Sequence, residues 1–141
     1  MSKKIYVIVS EFFYLFLIFF FCYTSVNKLM NLNSFRTNLI KTSLFTDAEA
    51  SWFSILVILI EIFVILVLIF KKRLGLMLIT LLLLIFTLYI SYLRFKGLYE
   101  VCGCGGILNG LDYKYHLIIN ITLIFSGLYS LIVIHIFNDE K

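Results

Sequence analysis

The sequence predicts an all-α integral membrane protein: a bundle of four transmembrane helices, with an interfacial amphipathic helix after the first span and a Gly/Cys-rich loop before the last. Three observations predict it. Hydrophobic residues make up 62% of the 141 positions and charged residues 14%, against roughly 45–50% and about 25% in ordinary soluble domains. The apolar residues are gathered into four long runs separated by short polar segments. A chain this short forms one domain at most, and one soluble domain could not hide so much apolar surface, so lipid must be the solvent for much of it.

The first run, Ile5 to about Val26, follows Lys3 and Lys4. At roughly 20 residues it crosses about 30 Å of hydrocarbon as a helix. A cleaved signal peptide would have a shorter apolar core and a small-residue cleavage site, so this run is read as a span. The connection 27–51 is polar and carries Lys28, Arg36, Lys41, Asp47 and Glu49, yet Leu29, Leu32, Phe35, Leu39 and Ile40 recur near helical spacing. That pattern predicts an amphipathic helix lying in the membrane interface. The second run is Trp52 to Phe70, broken only by Glu61; the third is Leu74 to about Tyr92. Only Lys71-Lys72-Arg73 separates them, which predicts a tight helical hairpin. The fourth run is Leu117 to Phe137, followed by Asn138-Asp139-Glu140-Lys141.

Lys and Arg number 12 against 8 Asp and Glu, a formal net charge of +4. These cations are spread among the segment ends, without the concentrated basic face of a nucleic-acid binder. Headgroups of the lipid bilayer are their expected partners. Lys3, Lys4, Lys71, Lys72, Arg73 and Lys141 fall on the side of the termini; Lys28, Arg36, Lys41, Arg94, Lys96 and Lys114 fall on the other. The count ties. The dense cluster in the shortest loop and the basic flank of the first span favour cytoplasmic termini. The last long connection, Leu93 to His116, then lies outside the cytoplasm.

That connection contains Cys102-Gly103-Cys104-Gly105-Gly106, and four of the seven glycines (Gly103, Gly105, Gly106 and Gly110) lie in or beside it. A tight turn brings residues i and i+2 within the 4.4–6.8 Å Cα separation, roughly, that a disulfide needs, and a central glycine removes the Cβ that would resist it. Such a ring is cramped, and strained disulfides tend to be the labile, oxidising ones. It closes almost no loop and so adds little stability. The pair therefore suits passing a disulfide on, in an oxidising compartment.

Other readings stay open beside this one. The two cysteines can be inert buried thiols. They can also, with His116, be part of a soft-metal site for copper or zinc, although a structural zinc site wants four ligands. Cys22, near the end of span one on the same side, is either a resolving thiol or a small hydrophobe. Glu61 is an intramembrane carboxylate. It is either a proton site coupled to thiol chemistry or quinone binding, or a packing group paired with Lys28, Asn120 or a hydroxyl. His116 can hold a thiolate or take its proton, or simply end a span. Asn120, one turn along the same face, reads as helix glue. Arg94 and Lys96 either lower a thiol pKa or snorkel.

The pattern as a whole resembles the methylamine-utilisation MauE group within the broader DoxX-like membrane proteins. The residues that carry the resemblance are Lys28-Leu29 with Phe35 after span one, Glu61 in span two, Cys102-Gly103-Cys104-Gly105-Gly106, and the stretch Leu111 to Asn120 leading into span four. It covers nearly the whole chain. Many relatives carry Pro before the first cysteine and Phe after the second, where this chain has Val101 and Gly105. The resemblance implies a redox-associated protein of the bacterial cytoplasmic (inner) membrane that supports disulfide formation or exchange in exported proteins, beside a thioredoxin-like partner. Cys102 and Cys104 would be its redox pair, and Glu61, His116 and Asn120 match recurrent positions. A quinone is a candidate electron acceptor. The alternative function is a non-enzymatic membrane anchor or assembly subunit that docks a partner through Gly103, Gly105 and Gly106.

Overall fold

The structure is a computed structural model that describes residues 3–99, 102, 108 and 110–138, the last by its backbone alone. The described residues form five helices: α1 (Lys3–Met30), α2 (Leu32–Lys41), α3 (Asp47–Phe70), α4 (Lys72–Phe95) and α5 (Tyr113–Asn138). Four of them, α1, α3, α4 and α5, are long and apolar enough to cross a membrane. Their outward faces carry large exposed apolar side chains such as Phe12, Phe19, Leu59, Phe63, Leu88 and Phe125, as lipid-facing helices do. Gly103, Cys104, Gly105 and Gly106 lie outside the described residues.

The helices run past the apolar stretches that predict them, because polar ends continue the backbone hydrogen bonding. α3 starts at Asp47 rather than Trp52 because Thr46 and Glu49 form a reciprocal capping box: the Thr46 N–H donates to Glu49 Oε2 at 2.8 Å, and the Glu49 N–H to Thr46 Oγ1 at 3.4 Å. Two orphan amide donors are satisfied together. α4 ends where Gly97 adopts a left-handed φ of +74°. There the Leu98 N–H reaches back to the Leu93 carbonyl at 2.8 Å, a closure that a residue with a Cβ resists.

α1 packs on α3 and α5, and α4 on α3 and α5, so the four long helices make a ring around one core; α2 lies mainly on α3. The core holds Leu17 and Phe21 of α1, Val64, Ile65 and Leu68 of α3, Leu76, Ile79, Leu82 and Leu83 of α4, and Leu123 of α5. Hydroxyls beside it tie the helices together. Tyr14 Oη donates to the Leu68 carbonyl at 2.9 Å, and Ser130 Oγ to the Ser10 carbonyl at 3.3 Å. Phe35 and Leu39 of α2 pack against Ala50 and Ile58 of α3. Leu29 departs from the periodic set predicted for that connection. It ends up in α1 and is exposed, because Asn31 separates the two helices and resets the face.

Gly75 fixes the α3–α4 crossing. A Cβ there would fall on the backbone of Leu68, 2.5 Å from its nitrogen, and no side-chain adjustment relieves a clash with main chain. Gly75→Ala is expected to cost about 1–3 kcal/mol, the usual penalty of overpacking. A lowered thermal transition in detergent would register it. Gly127→Ala, whose one close contact would be the side-chain hydroxyl of Thr80 at 2.5 Å, should cost less.

Candidate functional site

At the end of the bundle where α1 finishes and α5 begins lies an apolar cavity of about 140 Å³. All five helices contribute to it, and Cys102, Lys28, Tyr89, Phe86, His116 and Asn120 are in its wall. The structure thus gathers four of the sequence-predicted residues, Cys102, Lys28, His116 and Asn120, around one space. Cys102 is 5% exposed and packs with Ile90 and Leu93 of α4, flanked by Tyr89, Tyr99 and Tyr113. Its N–H donates to the Tyr99 carbonyl at 3.1 Å, which anchors the first cysteine to a turn that follows α4.

His116 is buried within the first turns of α5, and its Nδ1 lies 2.9 Å from Tyr99 Oη. Tyr99 Oη also donates to the Leu111 carbonyl at 2.8 Å. A phenol carries one proton and a carbonyl can only accept. Tyr99 therefore gives its proton to Leu111 and accepts from His116 Nδ1–H, so Nε2 is the nitrogen that carries the lone pair in the neutral ring. Burial, then the negative charge of Asp112 and then Tyr113, raise the Tyr99 pKa above its ordinary value of 10.0. A raised pKa favours the protonated folded form. The stability linked to this shift is therefore full below the unfolded-state value and is lost as pH rises from there through the raised folded value.

Tyr99→Phe is expected to keep the edge-on ring contacts with Tyr113 and His116, at 5.5 and 6.0 Å between centroids. It would orphan the Leu111 carbonyl and His116 Nδ1. The expected loss is about 1–3 kcal/mol. Faster hydrogen exchange at residues 111–116 would show it, and unchanged protection there would contradict the assignment.

Glu61 is 0% exposed, and its carboxylate takes two donors. Ser25 Oγ donates at 2.8 Å, and Lys28 forms an ion pair with the other oxygen. Lys28 is itself buried and sits over the Phe86 ring at 5.1 Å. Of the alternatives read from sequence, Glu61 therefore occupies the paired arrangement, and it reaches the cavity through Lys28. Asn120 is buried and its Nδ2 donates to Thr87 Oγ1 at 3.3 Å, joining α5 to α4. Cys22 is a free thiol, partly buried against the central core, and is not in the cavity wall. Arg94 and Lys96 lie over the Tyr113 and Tyr92 rings, at 6.0 and 5.8 Å. Among the described residues no group of three His, Cys, Asp or Glu is placed to hold a metal ion.

Three participants escape a reading of the sequence: Tyr99, Ser25 and Tyr89. The Tyr89 hydroxyl is buried and has no hydrogen-bond partner among the described residues. The signal for Tyr99 is its place three residues before Cys102, one turn's reach. Ser25 and Tyr89 carry no local signal, since a serine and a tyrosine in an apolar run are ordinary.

A family model described as Methylamine utilisation protein MauE matches residues 6–133, nearly the whole chain. No curated protein and no solved structure matches it.

Proposed function

The chain belongs to the MauE family, and on that premise we propose that it is an integral membrane thiol–disulfide exchange protein with Cys102 and Cys104 as its redox pair. The observation that carries this reading is the position of Cys102, in the wall of a cavity that also presents His116, Lys28 and Asn120. A cysteine placed for packing alone needs no histidine and no ammonium beside the same space.

The proposed reaction starts from the Cys102–Cys104 disulfide. A thiolate of an extracytoplasmic dithiol partner, a thioredoxin-like or exported protein, attacks one sulfur. It forms a mixed disulfide and releases the other cysteine as thiolate. The partner's second thiol then attacks the mixed disulfide. The partner leaves oxidised and the Cys102/Cys104 pair remains as two thiols. Reoxidation passes two electrons and two protons from those thiols to a lipophilic acceptor, of which a quinone is the expected class, giving the disulfide and a quinol. The cavity is close in size to an engineered cavity of about 150 Å³ that takes up benzene, so it suits a single-ring headgroup. Its lining includes Phe53 and Ile85, which are also exposed on the outer face, and this offers entry from lipid. His116 Nε2, with its free lone pair, is suited to receive a proton from a thiol in or beside the cavity. In this role the protein sits in the bacterial cytoplasmic membrane, with termini inside and the cysteine loop outside.

The test is a trap. Each single cysteine-to-serine variant is incubated in membranes with oxidised or reduced extract, quenched with acid and an alkylating reagent, and searched for mixed disulfides. One variant should accumulate a covalent adduct with an exported thiol protein. Absence of any adduct from both variants, with partners exported normally, removes the exchange reading and leaves docking through the glycine-rich loop.

A further inference from the structure

We propose that the groove at the other end of the bundle binds the phosphate of an anionic membrane lipid. The groove, of about 770 Å³, lies between α1, α4 and α5. Its polar wall is Ser10, Glu11, Lys71, Lys72 and Arg73, and its remaining wall is apolar, including Leu74, Met77 and Phe137.

Three independent features point to a bound phosphate. First, Ser10 is 2% exposed, and its Oγ has no hydrogen-bond partner among the described residues although it lines the groove. A buried hydroxyl without a partner costs free energy, and a ligand oxygen would remove that cost. Second, α4 opens at Lys72 with no side-chain cap and no acidic residue in its first turn. Its first amides carry the positive end of a 24-residue helix and are the kind of donors that bind phosphate. Third, three consecutive cations border the same space. Lys72 is committed to Glu11 and lies over the Tyr14 ring at 4.4 Å. That pairing neutralises Glu11, the only acidic residue in the groove wall among the described residues. Lys71 and Arg73 have no acidic partner among the described residues. The end of α3 explains why cations are tolerated here, but it does not explain the orphaned Ser10 hydroxyl.

The apolar wall selects the ligand. Leu74, Met77 and Phe137 continue the groove along membrane-spanning helices. A free phosphate gains nothing from them, whereas a phospholipid lays its acyl chain there. The occupant is therefore a lipid phosphate, with phosphatidylglycerol as the probe.

The full chain in neutral detergent would be titrated with phosphatidylglycerol, phosphatidylcholine or inorganic phosphate, with retained lipid read by native mass spectrometry. One phosphatidylglycerol should be retained in preference to phosphatidylcholine. K71Q/R73Q should weaken retention at least about tenfold, as each cation near a lipid surface contributes about 1 kcal/mol. S10A should weaken it about fivefold. S10A breaks no hydrogen bond, so its thermal transition without lipid should match wild type, which separates lost binding from lost fold. Equal retention of the two lipids, competition by inorganic phosphate alone, or unchanged retention in both variants would each overturn the proposal. None of these outcomes depends on the cysteines.

Discussion

Lys28→Met is expected to destabilise the bundle by about 3–5 kcal/mol, the range for removing one partner of a buried ion pair. The reason is what it leaves behind. Glu61 is fully buried in mid-helix, and without Lys28 its carboxylate keeps only the Ser25 hydroxyl at 2.8 Å. In an apolar surround an uncompensated charge cannot be rescued by water. The double variant Lys28→Met/Glu61→Leu removes both charges and should recover most of the loss, because an ion pair replaced by apolar groups of similar size is often close to neutral. The check is a double-mutant cycle on the thermal transition in detergent, alongside the amount of protein that accumulates in membranes. A single variant as stable as the double one would mean that the pair does not hold α1 to α3.

Cys102→Ser and Cys104→Ser are each expected to abolish disulfide turnover while leaving the fold nearly intact. The oxygen of serine cannot form or accept a disulfide, so the loss should be complete rather than graded. Cys102 is buried beside Ile90 and Leu93, and placing a hydroxyl there costs about 1–3 kcal/mol, too little to unfold a bundle held by four long helices. Cys22→Ser should leave turnover unchanged, because Cys22 packs on the central core and is not in the cavity wall. Accumulation of exported disulfide proteins in their oxidised forms, scored by alkylation and gel shift, measures all three. If Cys22→Ser were as damaging as the other two, a thiol relay through span one would replace direct exchange at the Cys102/Cys104 pair.

The spans were legible because lipid imposes a simple rule: about 20 apolar residues, whatever their identity. The tight α3–α4 hairpin followed from a three-residue basic gap. The pairing of Glu61 with Lys28 stood among the readings of the sequence because an intramembrane carboxylate demands a counter-charge and few were in reach. Other features depend on helix rotation and on contacts between distant residues. Ser25 meets Glu61 across 36 residues and Tyr99 meets His116 across 17, and neither leaves a periodic trace. Gly75 looks like any glycine in an apolar run until α3 lies against it. The start of α3 escapes hydropathy because the capping box, Thr46 to Glu49, lies in a polar stretch that hydropathy ignores. The gathering of Cys102, His116, Asn120 and Lys28 around one cavity also could not be read from spacing, since it needs α1, α4 and α5 at their observed rotations.

The central claim is that Cys102 and Cys104 open and close as a two-electron couple. Equilibrating the purified protein in thiol–disulfide buffers of graded potential, quenching by alkylation and mass-mapping the peptide that holds both cysteines tests it most directly. Both sulfurs should become alkylated together, with a midpoint above about −300 mV, the level below which structural disulfides usually sit. A pair that stays closed throughout that range, or stays open in every buffer, would contradict it.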